Sequence, residues 1–372
     1  MNSILYVGMD VHSTNFTLCT FSLGDEKPRF IHTVAPDYKQ VLLYLEMVRA
    51  KTAGLGGDMD FLCGYEAGCL GYTLYKQLTQ HNVKCVILAP TTLPLPQGHR
   101  IKTDKRDAQM IAKALAYRTY RQVYIPDEED NSIKEYIRMR EDHQRALAKI
   151  KQQLLAFCLR NGHHYTAGCH WTEKHLRWIR ELKLEGMLQE TLEEYLVTYS
   201  TLTDKMERLD KRIEELAALP RYQEKVKKLT CFLGIRTRTA LATLVEISDF
   251  QRFATAGNYA SYLGLVPGEA SSSDKQKRLG ITKAGNAHVR RLMVEAAQSY
   301  ARGRIGYKSK TLKARQAGNP AEVIAYADRG NERLRRRYYS FISRGMKRNV
   351  AITSLARELS CFVWGMMTDH TA

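Results

Sequence analysis

The chain has 372 residues, 44% of them apolar, and a formal net charge of +18. This composition supports real hydrophobic cores and two or three modest domains, and it excludes wholesale disorder. The charge is unevenly placed: residues 1–100 carry eight basic and eight acidic side chains, whereas 251–350 carry 21 basic against six acidic. A neutral N-terminal part joined to a strongly basic C-terminal part implies a polyanionic partner held mainly by the latter. The eight cysteines form no CxxC pair, so reduced thiols in a cytoplasmic protein are expected. The opening MNSILYVGMD has no basic n-region, and no segment reads as the ~20 apolar residues of a membrane span, which sets a membrane partner aside.

In chain order, ILYVGMD, NFTLCTFSL and RFIHTVA read as three early strands, with turn chemistry at Gly24-Asp25. A helix is predicted over 38–50, then a buried strand at FLCGYEA, a helix at GYTLYKQLTQ and a strand at VKCVILAP closed by Pro90. TDKRDAQMIAKALAY reads as a helix opened by a Thr or Asx cap. This order gives a mixed α/β domain over 1–128, with helices on the faces of one sheet, as in an RNase H-like fold.

Residues 129–222 read as a helical region. Leu188, Leu192, Tyr195, Tyr199, Leu202, Met206, Leu209, Ile213 and Leu216 alternate steps of four and three without a slip. That is a coiled-coil seam, open either to a helix of the same chain or to a second subunit. Residues 223–372 read as a mainly α, basic domain interrupted by a Gly-, Ser- and Lys-rich loop at 266–286. A long basic helix is predicted from AHVRRLMVEAAQSYARGR, and NERLRRRYYSFISRGMKRN interleaves cations with aromatic residues.

Four acids stand out by placement. Asp10 and Glu66 end predicted strands; Asp104 and Asp107, three apart, share one face of a helix. Carboxylates so converged need a cation to stay ionised together, and hard Mg²⁺ with oxygen ligands suits phosphoryl transfer. Each acid alone is more often a turn residue or cap; the set is more specific than its members. Cys158, His163, His164, Cys169, His170 and His175 cluster too loosely for zinc. TCFLGIRTRTALATL resembles a helix-hairpin-helix with Arg236 where a glycine is usual, and the turn Lys283-Ala284-Gly285-Asn286 precedes a basic helix that suits a phosphate.

GMDVH, YEAG and KTDKRDA, followed by YASYLGLVPGEASSS and GITKAGNAHVRRLMVEAA, together resemble the DEDD transposases of bacterial insertion sequences, whose relatives include site-specific DNA invertases. The resemblance spans nearly the whole chain. It implies a RuvC-like N-terminal domain holding Mg²⁺ through Asp10, Glu66, Asp104 and Asp107, and a C-terminal domain supplying a serine nucleophile. Counting from Pro267, the family serine falls on Ser272, with Ser271 and then Ser273 as alternatives; Ser273 stands where the family commonly has Gly. It further implies double-stranded donor and target DNA, a structured bridge RNA that guides recombination, and a homo-oligomer, dimer or tetramer.

The expected nucleic-acid contacts are Lys275, Lys277 and Arg278 beside the serines, Lys283, Arg290 and Arg291 around the following helix, and Arg333, Arg335, Arg336, Arg337, Lys347 and Arg348 near the end. The expected activity is cutting and rejoining of DNA through a phosphoserine. A RuvC-like nuclease without a covalent intermediate and a non-catalytic nucleic-acid-binding protein are the competing readings.

Overall fold

The computed structural model describes residues 3–53, 59–68, 70–90, 93, 103–269 and 278–371. It divides into two compact units, Met1–Ile125 and Pro126–Ala372.

The first unit is a five-stranded mixed sheet in the order β3-β2-β1-β4-β5. β1 (Ser3–Val11), β2 (Phe16–Phe21) and β3 (Arg29–Val34) form an antiparallel meander; β4 (Met59–Glu66) and β5 (Lys84–Leu88) join parallel to β1. Parallel addition needs crossovers, which α1 (Tyr38–Thr52) and α2 (Thr73–Gln80) supply. Strand alternation sorts the side chains. Leu5, Val7 and Met9 of β1 and Phe61, Cys63 and Tyr65 of β4 pack with Val41, Tyr44, Val48, Leu74 and Leu78 of α1 and α2. On the opposite face, Tyr6, Leu62, Val86 and Leu88 pack with Ala108, Ile111, Ala112 and Leu115 of α3 (Asp104–Tyr117). This sheet order and its helical cover agree with the RNase H-like expectation.

The second unit is almost wholly helical. It opens with two long helices, α4 (Glu128–Arg160) and α6 (Met187–Ala217), linked through the short α5 (Glu173–Arg180). Ile137 shares a buried cluster with Ile213, Leu147 with Tyr199 and Met206, and Leu154 with Leu192. Arg140 makes a two-pronged ion pair with Asp210, Nε to Oδ1 and Nη2 to Oδ2 both at 2.7 Å. Numbers that rise along α4 as they fall along α6 mean an antiparallel hairpin. Leu192, Tyr199, Met206 and Ile213 of the predicted run thus pack with α4 of the same chain, whereas Leu188 is 43% exposed. Leu209, on the same run of α6, is 8% exposed. Leu209→Lys would bury an ammonium without a partner, at a cost of about 2–4 kcal/mol. For a unit of this size the expected result is a melting point lower by roughly 5–15 °C with the mass in solution unchanged. Unchanged melting together with a smaller mass would instead put the seam between subunits.

The remaining helices are α7 (Pro220–Leu229), α8 (Thr237–Ile247), α9 (Ala256–Tyr262), α10 (Ala287–Ala297), α11 (Lys310–Gln316), α12 (Ala321–Ser343) and α13 (Arg348–Met367). All but α11 contribute to one core, with Phe232, Tyr259, Tyr300, Leu334 and Leu355 inside. α13 is long and apolar enough to cross a membrane by length and composition, which the sequence reading did not anticipate; its residues Ala351, Ile352, Leu355, Leu359 and Val363 are buried in this core.

Two expectations for the second unit need correction. The segment 266–286 is not loop throughout, because β6 (Pro267–Glu269) and β7 (Arg278–Ile281) pair antiparallel with Glu269 opposite Arg278. The basic helix expected to run on through SYARGR ends at Ala297, passes through a 3-10 turn at Gln298–Ala301, and leaves helical geometry at Arg302, whose φ of −126° is extended.

Candidate active site

Asp10 lies one residue before the end of β1, and Glu66 is the last residue of β4. These strands run parallel in register, Met9 opposite Tyr65, so the two acids stand side by side at one sheet edge. Asp10 follows Tyr6 and Gly8 on the α3 face, and Glu66 follows Leu62 and Gly64 on the same face.

α3 brings the other two acids. Thr103 caps it, its hydroxyl accepting from the Arg106 N–H at 3.4 Å, which places Asp104 and Asp107 in the first turn. Gly8 sets how close that turn can come. A Cβ there would lie 2.1 Å from the Ala108 carbonyl oxygen and 2.4 Å from the Ala112 nitrogen. Only glycine allows this approach of helix to strand. Gly8→Ala must therefore push α3 off β1 and shift Asp104 and Asp107 by a good part of an ångström. A displacement of ~1 Å at reacting groups costs about 100-fold in rate. We expect DNA cleavage at least that much slower, with a lower melting point; full activity would mean that α3 does not set the geometry.

Ligand atoms of Asp10, His12 and Asp104 all lie within 4.8 Å of one another. His12 Nε2 is 3.3 Å from Asp10 Oδ2, yet that buried oxygen has no aligned hydrogen bond. Burial raises the Asp10 pKa, and the negative charges of Asp107 and Asp104 raise it further against the lowering effect of His12. A buried carboxylate oxygen without a donor, beside two like charges, fits a divalent cation with a taste for oxygen. His12 was not singled out from the sequence; its place two residues beyond Asp10 was the available signal.

In the second unit, Ser271, Ser272, Ser273, Lys275 and Lys277 lie outside the described residues. What anchors the segment is described: β6 and β7 flank it, and a sharp turn follows. Lys283 and Gly285 have φ of +56° and +64°, and a Cβ on Gly285 would lie 1.9 Å from the Tyr262 carbonyl oxygen. Asn286 caps α10, accepting from the Val289 N–H, and donates to Glu246 Oε2 at 2.8 Å. Glu246 also receives both Nε and Nη2 of Arg138, at 2.8 and 3.0 Å. Burial raises the Glu246 pKa, but Arg138 and Asn286 outweigh that and hold its carboxyl below the usual range. The turn behind the serine segment is thus tied to both α8 and α4.

The predicted basic residues divide by environment. Lys283 and Lys347 are exposed. Arg278 is placed by its backbone alone, opposite Glu269. Arg290 donates to the Leu263 and Ala284 carbonyls, and Arg291 pairs with Glu141 and Glu295. Arg333 and Arg337 pair with Glu358, Arg336 with Glu332, and Arg348 reaches Gln298. Arg329, Arg333, Arg336 and Arg337 line a shallow groove along α12. Arg335 differs from its neighbours: it is 7% exposed and donates to the carbonyls of Arg304 and Tyr307. Its guanidinium is engaged inside the fold, so it drops out of the phosphate-contact set.

His175 is buried in a cage with Tyr165, Trp171 and Trp178, accepting from the Trp171 N–H at 3.0 Å. Burial, helped by His170, holds its pKa below the ordinary value. Its ring is thus packed among aromatic side chains.

Comparison with known proteins accords with both units. A family model of DEDD transposases of the IS110 type, described as Transposase, matches residues 7–161, and one described as Transposase IS116/IS110/IS902 family matches 226–314. The chain is 33% identical over 315 residues to "Putative transposase y4qE" of Sinorhizobium fredii, covering 82% of this chain and 75% of that protein. It is 29% identical over 343 residues to the transposase for insertion sequence element IS1533 of Leptospira borgpetersenii, covering 91% and 96%. The transposase for insertion sequence element IS1111A of Coxiella burnetii is 23% identical over 318 residues, covering 84% and 83%. With its mixed sheet, its acidic sheet edge and these matches, the chain belongs to the IS110/IS116 family of DEDD transposases, DNA-cutting and rejoining enzymes that use a divalent metal.

Proposed function

We propose that the chain is a Mg²⁺-dependent DNA recombinase that cuts and rejoins its element through a phosphoserine. The observation that carries the metal half is the approach of Asp10 and Asp104 to within 4.8 Å, with Asp107 in the same first turn of α3 and Glu66 on the adjacent strand end. Asp10, Glu66, Asp104 and Asp107 would hold the ion. When bound, it polarises the scissile phosphate and neutralises developing charge. His12, with Nε2 3.3 Å from Asp10 Oδ2, is close enough to join the four acids.

Ser272 is the proposed nucleophile. Its Oγ forms a bond to phosphorus as one P–O bond of the DNA backbone breaks; the proton the serine loses balances the one the departing deoxyribose hydroxyl gains. The exchange conserves phosphodiester bonds, so rejoining needs no ATP. Lys275, Lys277 and Arg278 would steady the phosphate. Lys283, Lys347 and the α12 arginines other than Arg335 would hold flanking backbone. Guidance by a bridge RNA and assembly into a dimer or tetramer rest on the family resemblance.

The test is a plasmid carrying paired element ends, incubated with purified protein, Mg²⁺ and candidate guide RNA from the flanking DNA. Rejoined product without ATP, lost on chelation, is expected. Hydrolysed ends alone would replace the recombinase reading with a nuclease.

A further inference from the structure

Between Glu295 and Glu322 the chain carries six basic side chains and no acidic one. Within that stretch the segment between the 3-10 turn and α11, residues 302–309, is fixed with unusual care. Gly303 and Gly306 adopt φ of +82° and +76°, which let the chain double back. From α12, the buried Arg335 donates through one nitrogen to the carbonyls of Arg304 (2.6 Å) and Tyr307 (3.0 Å), and the Tyr339 hydroxyl donates to the Gly303 carbonyl at 2.7 Å. Lys308 is pinned to Asp328 at 2.6 Å, and Ser309 caps α11 by accepting from the Leu312 N–H. Burying a guanidinium is costly unless it is hydrogen-bonded, and here the bonds go to the backbone of this segment.

What the bracing displays is apolar. Tyr307 is 63% exposed and Ile305 45%. Among the described residues no ring or guanidinium packs on Tyr307 and its hydroxyl has no partner. Arg302, Arg304, Lys310 and Lys313 are exposed around it. The acids facing this region from α12 are engaged, Asp328 by Lys308 and Glu332 by Arg336, leaving Glu322 in the first turn. A lone exposed tyrosine is ordinary. One held on a braced segment rich in cations has the make-up of a base-stacking surface: a ring for a π-face, with cations for the flanking phosphates.

We propose that residues 302–310 bind an unstacked DNA base, with Tyr307 as the stacking platform, Ile305 as a wedge, and Arg302, Arg304 and Lys310 on the neighbouring phosphates. Because its DNA partner comes from the family's substrate, the proposal stands apart from the serine chemistry and can fail without it.

The experiment uses the full chain and a DNA duplex carrying a single unpaired 2-aminopurine, with the fully paired duplex and the same sequence in RNA as further arms. Tyr307→Ala should weaken binding to the unpaired site about tenfold and abolish quenching of the 2-aminopurine. It should leave paired-duplex binding and melting point unchanged, and Tyr307→Phe should behave as wild type. Arg302→Ala and Arg304→Ala should flatten the salt dependence, by about 0.7–0.9 in log–log slope per lost contact, where Tyr307→Ala does not. Wild-type affinity and quenching in Tyr307→Ala would overturn the proposal. A Tyr307 effect confined to RNA would overturn the assignment to DNA.

Discussion

Ser272→Ala is expected to bind DNA as the wild type does and to yield neither covalent adduct nor recombinant product. The change removes one hydroxyl, and the described anchors of the segment, the β6–β7 pairing and the Lys283–Asn286 turn, keep every residue they use. Folding and phosphate binding should therefore survive. The chemistry should not, because water cannot store the phosphodiester bond that rejoining needs. Ser271→Ala and Ser273→Ala, made in parallel, should retain adduct formation. If the adduct survives in Ser272→Ala and disappears in Ser271→Ala, the nucleophile is one residue earlier. If all three retain rejoining, the serine chemistry is wrong.

Asp10→Asn should slow strand cleavage by about 10³-fold or more, the rate equivalent of the several kcal/mol of charge stabilisation that a metal supplies at a phosphate. The substitution keeps the shape and removes the charge. Asp10 is partly buried beside the charges of Asp104 and Asp107, and burial with that repulsion already raises its pKa. Asparagine relieves the repulsion, so melting without metal should not fall. Divalent cation should raise the wild-type melting point by mass action on the folded state and should leave Asp10→Asn nearly unmoved. Glu66→Gln, Asp104→Asn and Asp107→Asn are expected to behave alike. Cleavage near the wild-type rate in any one of them removes that residue from the centre.

The first unit was legible because its strands are short apolar, β-branched and aromatic runs with clear stops, such as Pro90 after β5 and Thr103 before α3. The positions of Asp10 and Glu66 at strand ends were legible too; the face they share with α3 came only from the register. The role of Gly8 was not legible, since a glycine in a strand announces neither which helix crosses it nor how closely. His12 escaped because its one signal, a place two residues beyond Asp10, is shared by many histidines that bind nothing. In the second unit the heptads of α6 predicted a seam but not its occupant: Leu and Met at these positions suit a neighbour in the same chain as well as another subunit, and the Arg140–Asp210 pair that fixes the hairpin joins residues 70 apart. β6 and β7 were hidden by their brevity and by Pro267, Gly268 and Gly280, which weaken any strand signal. Arg335 looks like Arg333, Arg336 and Arg337 in composition. Only its place beside Leu334 and Tyr338, on the buried face of α12, sets it apart.

The most direct test of the account is a mass map of the protein after reaction with element-end DNA and Mg²⁺. The prediction is a peptide carrying a nucleotide phosphodiester on Ser272, absent with chelator and absent in Asp10→Asn. Metal-dependent cleavage that leaves free phosphate ends and an unmodified 270–277 segment would contradict it.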